Sequence, residues 1–287
     1  MLELNKNLLI NGNKYYSQRK PTGQVTPTTS YQYLTVDRFC QKITGTITTP
    51  TVEASSDFPV SKTPWCSKYT GTTAATSSIS EQQRIEADFG LELIGDYVSY
   101  LGYVTSTSYS KATVNIGYAT AKDNHATQTL LFTKDFNLAT DGSVNELKWP
   151  KIAQLSSLIS TGLYVEIVLS TPTNTSTSST HRIGGQTLVR GRYTPTETLL
   201  AARSLQDEIR YCQRYFEPLN GSITSAWLNS NSYCHWLFKV IKRSTPIVTG
   251  SLQPGCSVHS TTDSLVVYIA SSGNYSGVTN PTATSEL

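Results

Sequence analysis

At 287 residues the chain is long enough for one large or two modest domains, each able to bury its own core. Charged residues make up only 15% and hydrophobic ones 38%; Thr and Ser fill the difference, with 17 Tyr beside 7 Phe and 4 Trp, which suits a pleated, half-buried surface and argues for an all-β class. The net charge of +3 is interspersed, without the clustered basic footprint that nucleic-acid binding needs, and no apolar run approaches the ~20 residues that insert across a membrane.

The first segment, "MLELNKNLLINGNKYY", has no apolar stretch of the signal-peptide kind, so no secretory leader is expected. From "YQYLTVDRFC" (31 to 40) to "TLVRGRY" (187 to 193), short strand-like runs alternate with turn clusters. "QQRIEADF" (82 to 89) reads as one strand. "DYVSYLGYV" (96 to 104) does not alternate cleanly, which predicts a strand buried on both faces. In "ATVNIGYAT" (112 to 120), Val114, Ile116 and Tyr118 share one face. "GLYVEIVLS" (162 to 170) is a further strand, and "KIAQLSSLI" (151 to 159) reads as a short helical excursion with Ile152, Leu155 and Ile159 on one side. "KDNHAT", "ATDGS" and the low-complexity "STPTNTSTSST" (170 to 180) are turns and surface loops, which puts His125 and His181 at the surface.

"SLQDEIRYCQRYFEP" (204 to 218) is the one clear helix. Ser204 is a good N-cap and Asp207 completes a capping-box-like start. Leu205, Ile209, Cys212 and Phe216 form an apolar stripe expected to pack against the sandwich or a symmetry mate. Pro218 stops the helix. Strands follow: "SITSAWL", "YCHWLFKVIK", "TPIVTGSL" and "SLVVYIAS". Cys40, Cys66, Cys212, Cys234 and Cys256 show no CxxC or metal spacing, which fits free, buried thiols.

Several of these segments carry a resemblance. "KNLLINGNKYYSQR", "YLTVDRF", "QQRIEADFGLELIGDYVSYLGYV", "RSLQDEIRYCQRYFE" and "WLFKVIKRSTPIVT" are similar, in this order, to stretches of phage and prophage tail-fibre modules. The Cys-Gln-Arg-Tyr-aromatic end of the helix is the most specific. The resemblance implies a jelly-roll β-sandwich like a carbohydrate-binding module over 1–200, a linking helix over 201–218 and a smaller C-terminal β-sandwich domain over 219–287. It further implies a non-enzymatic virion protein, made in the bacterial cytoplasm, that binds a host surface polysaccharide and other virion proteins, often as a homotrimer. Phe39, Tyr103 and Ile241-Lys242-Arg243 depart from the family pattern. With no separate shaft expected, the alternatives are a seat on a partner protein or attachment through "MLELNKNLLINGN" directly.

No G-x-S-x-G, H-E-x-x-H, Walker A or dinucleotide fingerprint is present, and the four His are far apart in sequence. Glu86 and Asp88, two apart on one expected strand, would share a face; that suits paired carboxylates of a depolymerase or a structural Ca²⁺ site, and equally two surface acids. No other cofactor is implied. Sugar binding asks for exposed aromatics beside small polar residues. Trp65 and Tyr69 in "TPWCSKYTG", Trp227 in "TSAWLNS" and Tyr275 in "GNYSG" are the candidates, each with a core reading beside it. A purely structural role in the virion (head fibre, decoration, tail adaptor) is the alternative function.

Overall fold

The structure, a computed structural model, describes residues 7–14, 17–18, 24–61, 63–173, 178–191, 204–218, 223–224, 232–239, 241–242, 244–252, 256–269 and 276–284. Two compact units divide the chain, Met1–Glu208 and Ile209–Glu286.

The first unit is a sandwich of two five-stranded antiparallel sheets. The front sheet orders β1 (Phe39–Thr44), β4 (Ser78–Ile85), β9 (Leu163–Pro172), β6 (Tyr109–Ala121) and β7 (Asn124–Asn137). The back sheet orders β2 (Ile47–Ser55), β3 (Cys66–Thr73), β10 (Ser178–Arg190), β5 (Val98–Ser106) and β8 (Val144–Ile152). Only β2–β3 and β6–β7 are joined as neighbours within a sheet; every other connection crosses to the opposite one, as in a jelly roll.

Alternation places the core. On β9, Leu163, Val165, Ile167 and Leu169 point inward; on β4, Ile79 and Ile85 do; they meet Val98, Tyr100, Val104, Leu147 and Leu188 of the back sheet. Burial of each such side chain contributes about 1.5–3 kcal/mol. Strand β5 is buried along its whole length, the expected two-faced strand. Between β4 and β5 the chain turns into a short helix, α1 (Ala87–Leu91), and a 3₁₀ turn occupies Ser157–Thr161. Ile152, Leu155 and Ile159 are all buried, but Ile152 ends β8, so the helical excursion expected over 151–159 is shorter and later.

An inward row of polar residues interrupts this core. Residues 7–14 run between β4 and β10, with Leu8 N donating to the Leu188 carbonyl (2.7 Å) and Gln186 N to the Gly12 carbonyl (2.6 Å). Ile10 N donates to Gln83 Oε1 (2.7 Å) and Gln83 Nε2 returns a bond to the Ile10 carbonyl (2.8 Å). Asn7 Oδ1 accepts from Leu9 N and Leu188 N. At the end of the segment Lys14, fully buried, meets the equally buried Glu81 at 2.5 Å. Its Nζ also donates to the Ile183 carbonyl (2.7 Å) and Ser67 Oγ (3.3 Å) and lies 4.8 Å from the Phe39 ring centroid. Burial pulls the Lys14 ammonium below its ordinary pKa, and Glu81 opposes that shift. Gln186 Nε2 donates to the same Glu81 oxygen (2.9 Å), and Tyr100 OH donates to Gln186 Oε1 (2.9 Å). The segment proposed for attachment is thus enclosed from Asn7 to Lys14, because its amides and cation have their partners inside the sandwich.

Helix α2 (Leu205–Gln213) begins as expected: Ser204 Oγ accepts from Asp207 N (3.2 Å) and donates to Asp207 Oδ2 (2.7 Å). Glu208 Oε2 accepts from Asn11 N (2.5 Å). Of the expected stripe, Cys212 and Phe216 are buried, Ile209 is half-buried and Leu205 is 50% exposed, so the first turn of the helix does not share the packing. Cys40, Cys66 and Cys212 are buried and form no disulfide.

In the second unit β11 (Phe216–Pro218), β12 (Ile223–Thr224) and β14 (Ile247–Leu252) all pair with β17 (Ser276–Thr284). A separate sheet orders β13 (Ser232–Leu237), β16 (Ser264–Ile269) and β15 (Cys256–Ser260). Lys242, buried, donates from Nζ to the Gln213 carbonyl (2.5 Å) and stands 4.9 Å from the Phe238 ring centroid. Among the described residues no helix is long and apolar enough to cross a membrane.

Candidate functional site

The outward-facing residues of the front sheet build a polar surface. Register sets Cys40, Gln82, Glu166, Asn115 and Thr133 in one row across β1, β4, β9, β6 and β7. Arg84 lies two residues along β4 from Gln82, and Lys42 two along β1 from Cys40, so both stand on this outer face.

Across one end of the face lies the stretch from Thr28 to Leu34. It is held antiparallel to β1 by reciprocal backbone bonds between Gln32 and Gln41 (2.9 and 2.8 Å) and by Ile43 N donating to the Thr28 carbonyl (2.9 Å). Tyr31 is carried by this stretch over the sheet. Its hydroxyl donates to Glu166 Oε1, and Asn115 Nδ2 donates to Glu166 Oε2 (3.0 Å). Burial, with Glu166 next in weight, raises the Tyr31 phenol well above its ordinary value, so it stays a neutral donor. Lys42 Nζ sits 4.2 Å from the Tyr31 ring centroid and the Arg84 guanidinium carbon 5.5 Å from it. Arg84 Nε donates to Gln82 Oε1 (3.0 Å), and the Gln82 and Gln128 amides pair reciprocally at 3.0 Å.

Together these elements leave an open groove of about 420 Å³ lined by Thr29, Ser30, Tyr31, Lys42, Arg84, His125, Ala126 and Gln128. Among the described residues no carboxylate lines it. Two cations, an aromatic ring, an amide and two hydroxyls suit it to a polar, hydroxyl-rich or anionic ligand.

The residues singled out in sequence fall elsewhere. Tyr69 is not on a loop but in β3, 2% exposed and inside the main core, so its ring cannot stack on a sugar; burial raises its phenol well above the usual range. Trp65 is half-buried against Val36, Phe39 and Ala54. Trp227 and Tyr275 lie outside the described residues. Glu86 and Asp88 do not share a strand face, because β4 ends at Ile85 and α1 starts at Ala87, where Asp123 Oδ1 accepts from Ala87 N (2.8 Å). Glu86 is buried, while the exposed Asp88 pairs with Lys122 at 3.2 Å. No group of three or more His, Cys, Asp or Glu able to hold a metal forms among the described residues.

Both loop histidines are buried. His125 opens β7 at the groove's edge. His181 lies in β10, where its Nδ1 is 3.1 Å from Ser106 Oγ, its Nε2 is 2.9 Å from Ser179 Oγ, and its ring centroid is 4.5 Å from that of Tyr109. Desolvation lowers its pKa to about 3, so it is a neutral hydrogen-bonding hub of the core. The groove residues themselves come from separate segments, and only the outward register of β1 and β4 could have linked Lys42 with Arg84 in advance.

No family model and no curated protein matches the chain. Solved structures with a similar course include the enzymatically active domain of tailspike protein 4 of bacteriophage CBA120 (11% identity, 54% of this chain, 19% of that one, TM-score 0.37). They also include the CBM22-1 xylan-binding domain of Paenibacillus barcinonensis Xyn10C (13% identity, 53% and 86%, TM-score 0.33) and a family 11 carbohydrate-binding module from Clostridium thermocellum (8% identity, 59% and 96%, TM-score 0.32). The match thus spans about a fifth of the tailspike chain. Likenesses this distant carry no argument about ligand or activity, and the sandwich stands on its own two sheets.

Proposed function

We propose that the chain is a non-enzymatic virion protein of the tail-fibre type that holds a bacterial surface polysaccharide in the groove beside Tyr31. The observation that carries this reading is the groove's make-up: a solvent-open trough with one ring, two cations and several hydroxyl and amide groups. The order of the tail-fibre-like segments along the chain supports the virion setting. Copies of a shallow site brought together in a homotrimer would gain avidity that one site lacks.

The test is binding of purified protein to an array of bacterial envelope polysaccharides, beside a Ser30→Trp variant whose indole fills the groove from an exposed position. Specific binding by the wild type, lost in Ser30→Trp with the fold intact, is the expected result. Binding to no polysaccharide, or binding indifferent to Ser30→Trp, overturns the reading. Release of oligosaccharide from a bound polymer overturns its non-enzymatic part.

A further inference from the structure

We infer that the groove selects anionic glycans, polymers bearing uronate or phosphodiester groups, over neutral ones. The inference rests on the glycan-binding reading above and names the ligand class of that same site.

Lys42 carries the argument. Its ammonium stands 4.2 Å from the Tyr31 ring centroid. A cation over the ring does two things: it is held in place by the ring's negative face, and it occupies the surface on which a pyranose would otherwise stack. The groove's aromatic is therefore a mount for a charge rather than an open stacking platform. Among the described residues no carboxylate lies within ion-pair reach of Lys42.

The acids nearby are engaged elsewhere. Glu166 lies under Tyr31, 8% exposed, with one oxygen accepting from the Tyr31 hydroxyl and the other from Asn115 Nδ2. Both its oxygens are thus taken by neutral donors, and it makes no ion pair with Lys42. Asp88 is paired with Lys122, and Asp135 with Lys111 at 2.8 Å. Arg84 is steadied from below by Gln82. The groove thus presents positive charge on a pre-set mount, beside Ser30, Thr29 and Gln128 for the hydroxyls. A neutral sugar would leave the Lys42 ammonium without a counter-charge, whereas an acidic substituent meets it with a charge-assisted bond.

The experiment uses an array carrying neutral, uronate-bearing and phosphodiester-bearing bacterial polysaccharides, with each uronate polymer also present in carboxyl-reduced form. Wild type, Lys42→Gln and Lys42→Arg are compared, and thermal melting verifies that each variant is folded. The expected hits are acidic polymers; carboxyl reduction or Lys42→Gln weakens binding about tenfold, while Lys42→Arg keeps it within about threefold. Raising NaCl from about 0.05 to about 0.5 M weakens it as well. Hits confined to phosphodiester polymers support the inference and name phosphate as the substituent. Equal binding to neutral or carboxyl-reduced polymers overturns the selectivity and leaves glycan binding standing. Binding to no polymer overturns both.

Discussion

Replacing Lys14 by Met keeps the aliphatic stem and removes the charge, which strands Glu81 at 0% exposure with Gln186 as its remaining donor. A buried carboxylate left without its counter-ion keeps its desolvation cost, and breaking a buried pair from one side costs about 3–5 kcal/mol. The Ile183 carbonyl also loses its Lys14 donor, which adds to the same loss. That is a large part of a domain's ~5–15 kcal/mol. Hydrogen exchange of peptides from β4 and β10, read by mass spectrometry at pH 7, reports on this unit alone. Lys14→Met combined with Glu81→Gln removes both charges and recovers most of the loss. A single-variant loss under about 1.5 kcal/mol, or no recovery in the double variant, refutes the reasoning.

His181, held neutral with its pKa lowered to about 3, binds no proton in the folded state where the unfolded chain does. Its share of stability is complete above pH 6.5 and is lost as pH falls, by about 2 kcal/mol at pH 5; urea unfolding against pH shows the slope, and His181→Gln flattens it. Gly12→Ala would place a Cβ 2.4 Å from the Gln186 carbonyl oxygen, backbone that cannot swing aside, and is expected to cost about 1–3 kcal/mol in the same exchange measurement. Asp57, in contrast, is partly exposed beside Arg182 and Lys68, which hold its carboxyl well below the usual range; solvent screens that pairing, and Asp57→Asn is expected to cost no more than about 1 kcal/mol by thermal melting.

The strands legible in the sequence are those with apolar alternation or an apolar run, such as β5, β6 and β9, together with the capped start of α2. Strand β3 was not legible. Its inward residues are Ser67, Tyr69, Gly71 and Thr73, which alternate in burial but not in hydropathy, so Tyr69 reads as a loop aromatic. His181 was hidden by the Ser/Thr-rich run before it, since small polar residues look the same in a loop and on an inward face packed with serines. The strand expected through 82–89 breaks where Asp123, from the distant β6–β7 turn, accepts from Ala87 N. The groove unites Tyr31, Lys42 and Arg84 through pairing in space, to which local periodicity is blind.

Four of the five segments that resemble tail-fibre modules meet around residues 7–14: Asn11 Nδ2 donates to the Asp37 carbonyl, Lys14 stands by Phe39 and Glu81, Ile10 pairs with Gln83, and Asn11 N reaches Glu208. Their sequence separations impose a schedule. Asn7 is bonded to Leu188, 181 residues on, and Asn11 to Glu208, 197 residues on. At about 5–20 residues per second, a ribosome takes roughly 10–40 s to make the partners of a segment it has already released. The first described stretch of the chain is thus among the last to find its place. Until β10 emerges, Lys14 and the amides around it are hydrated, and the cleft they will close stands open to whatever else is in the cell.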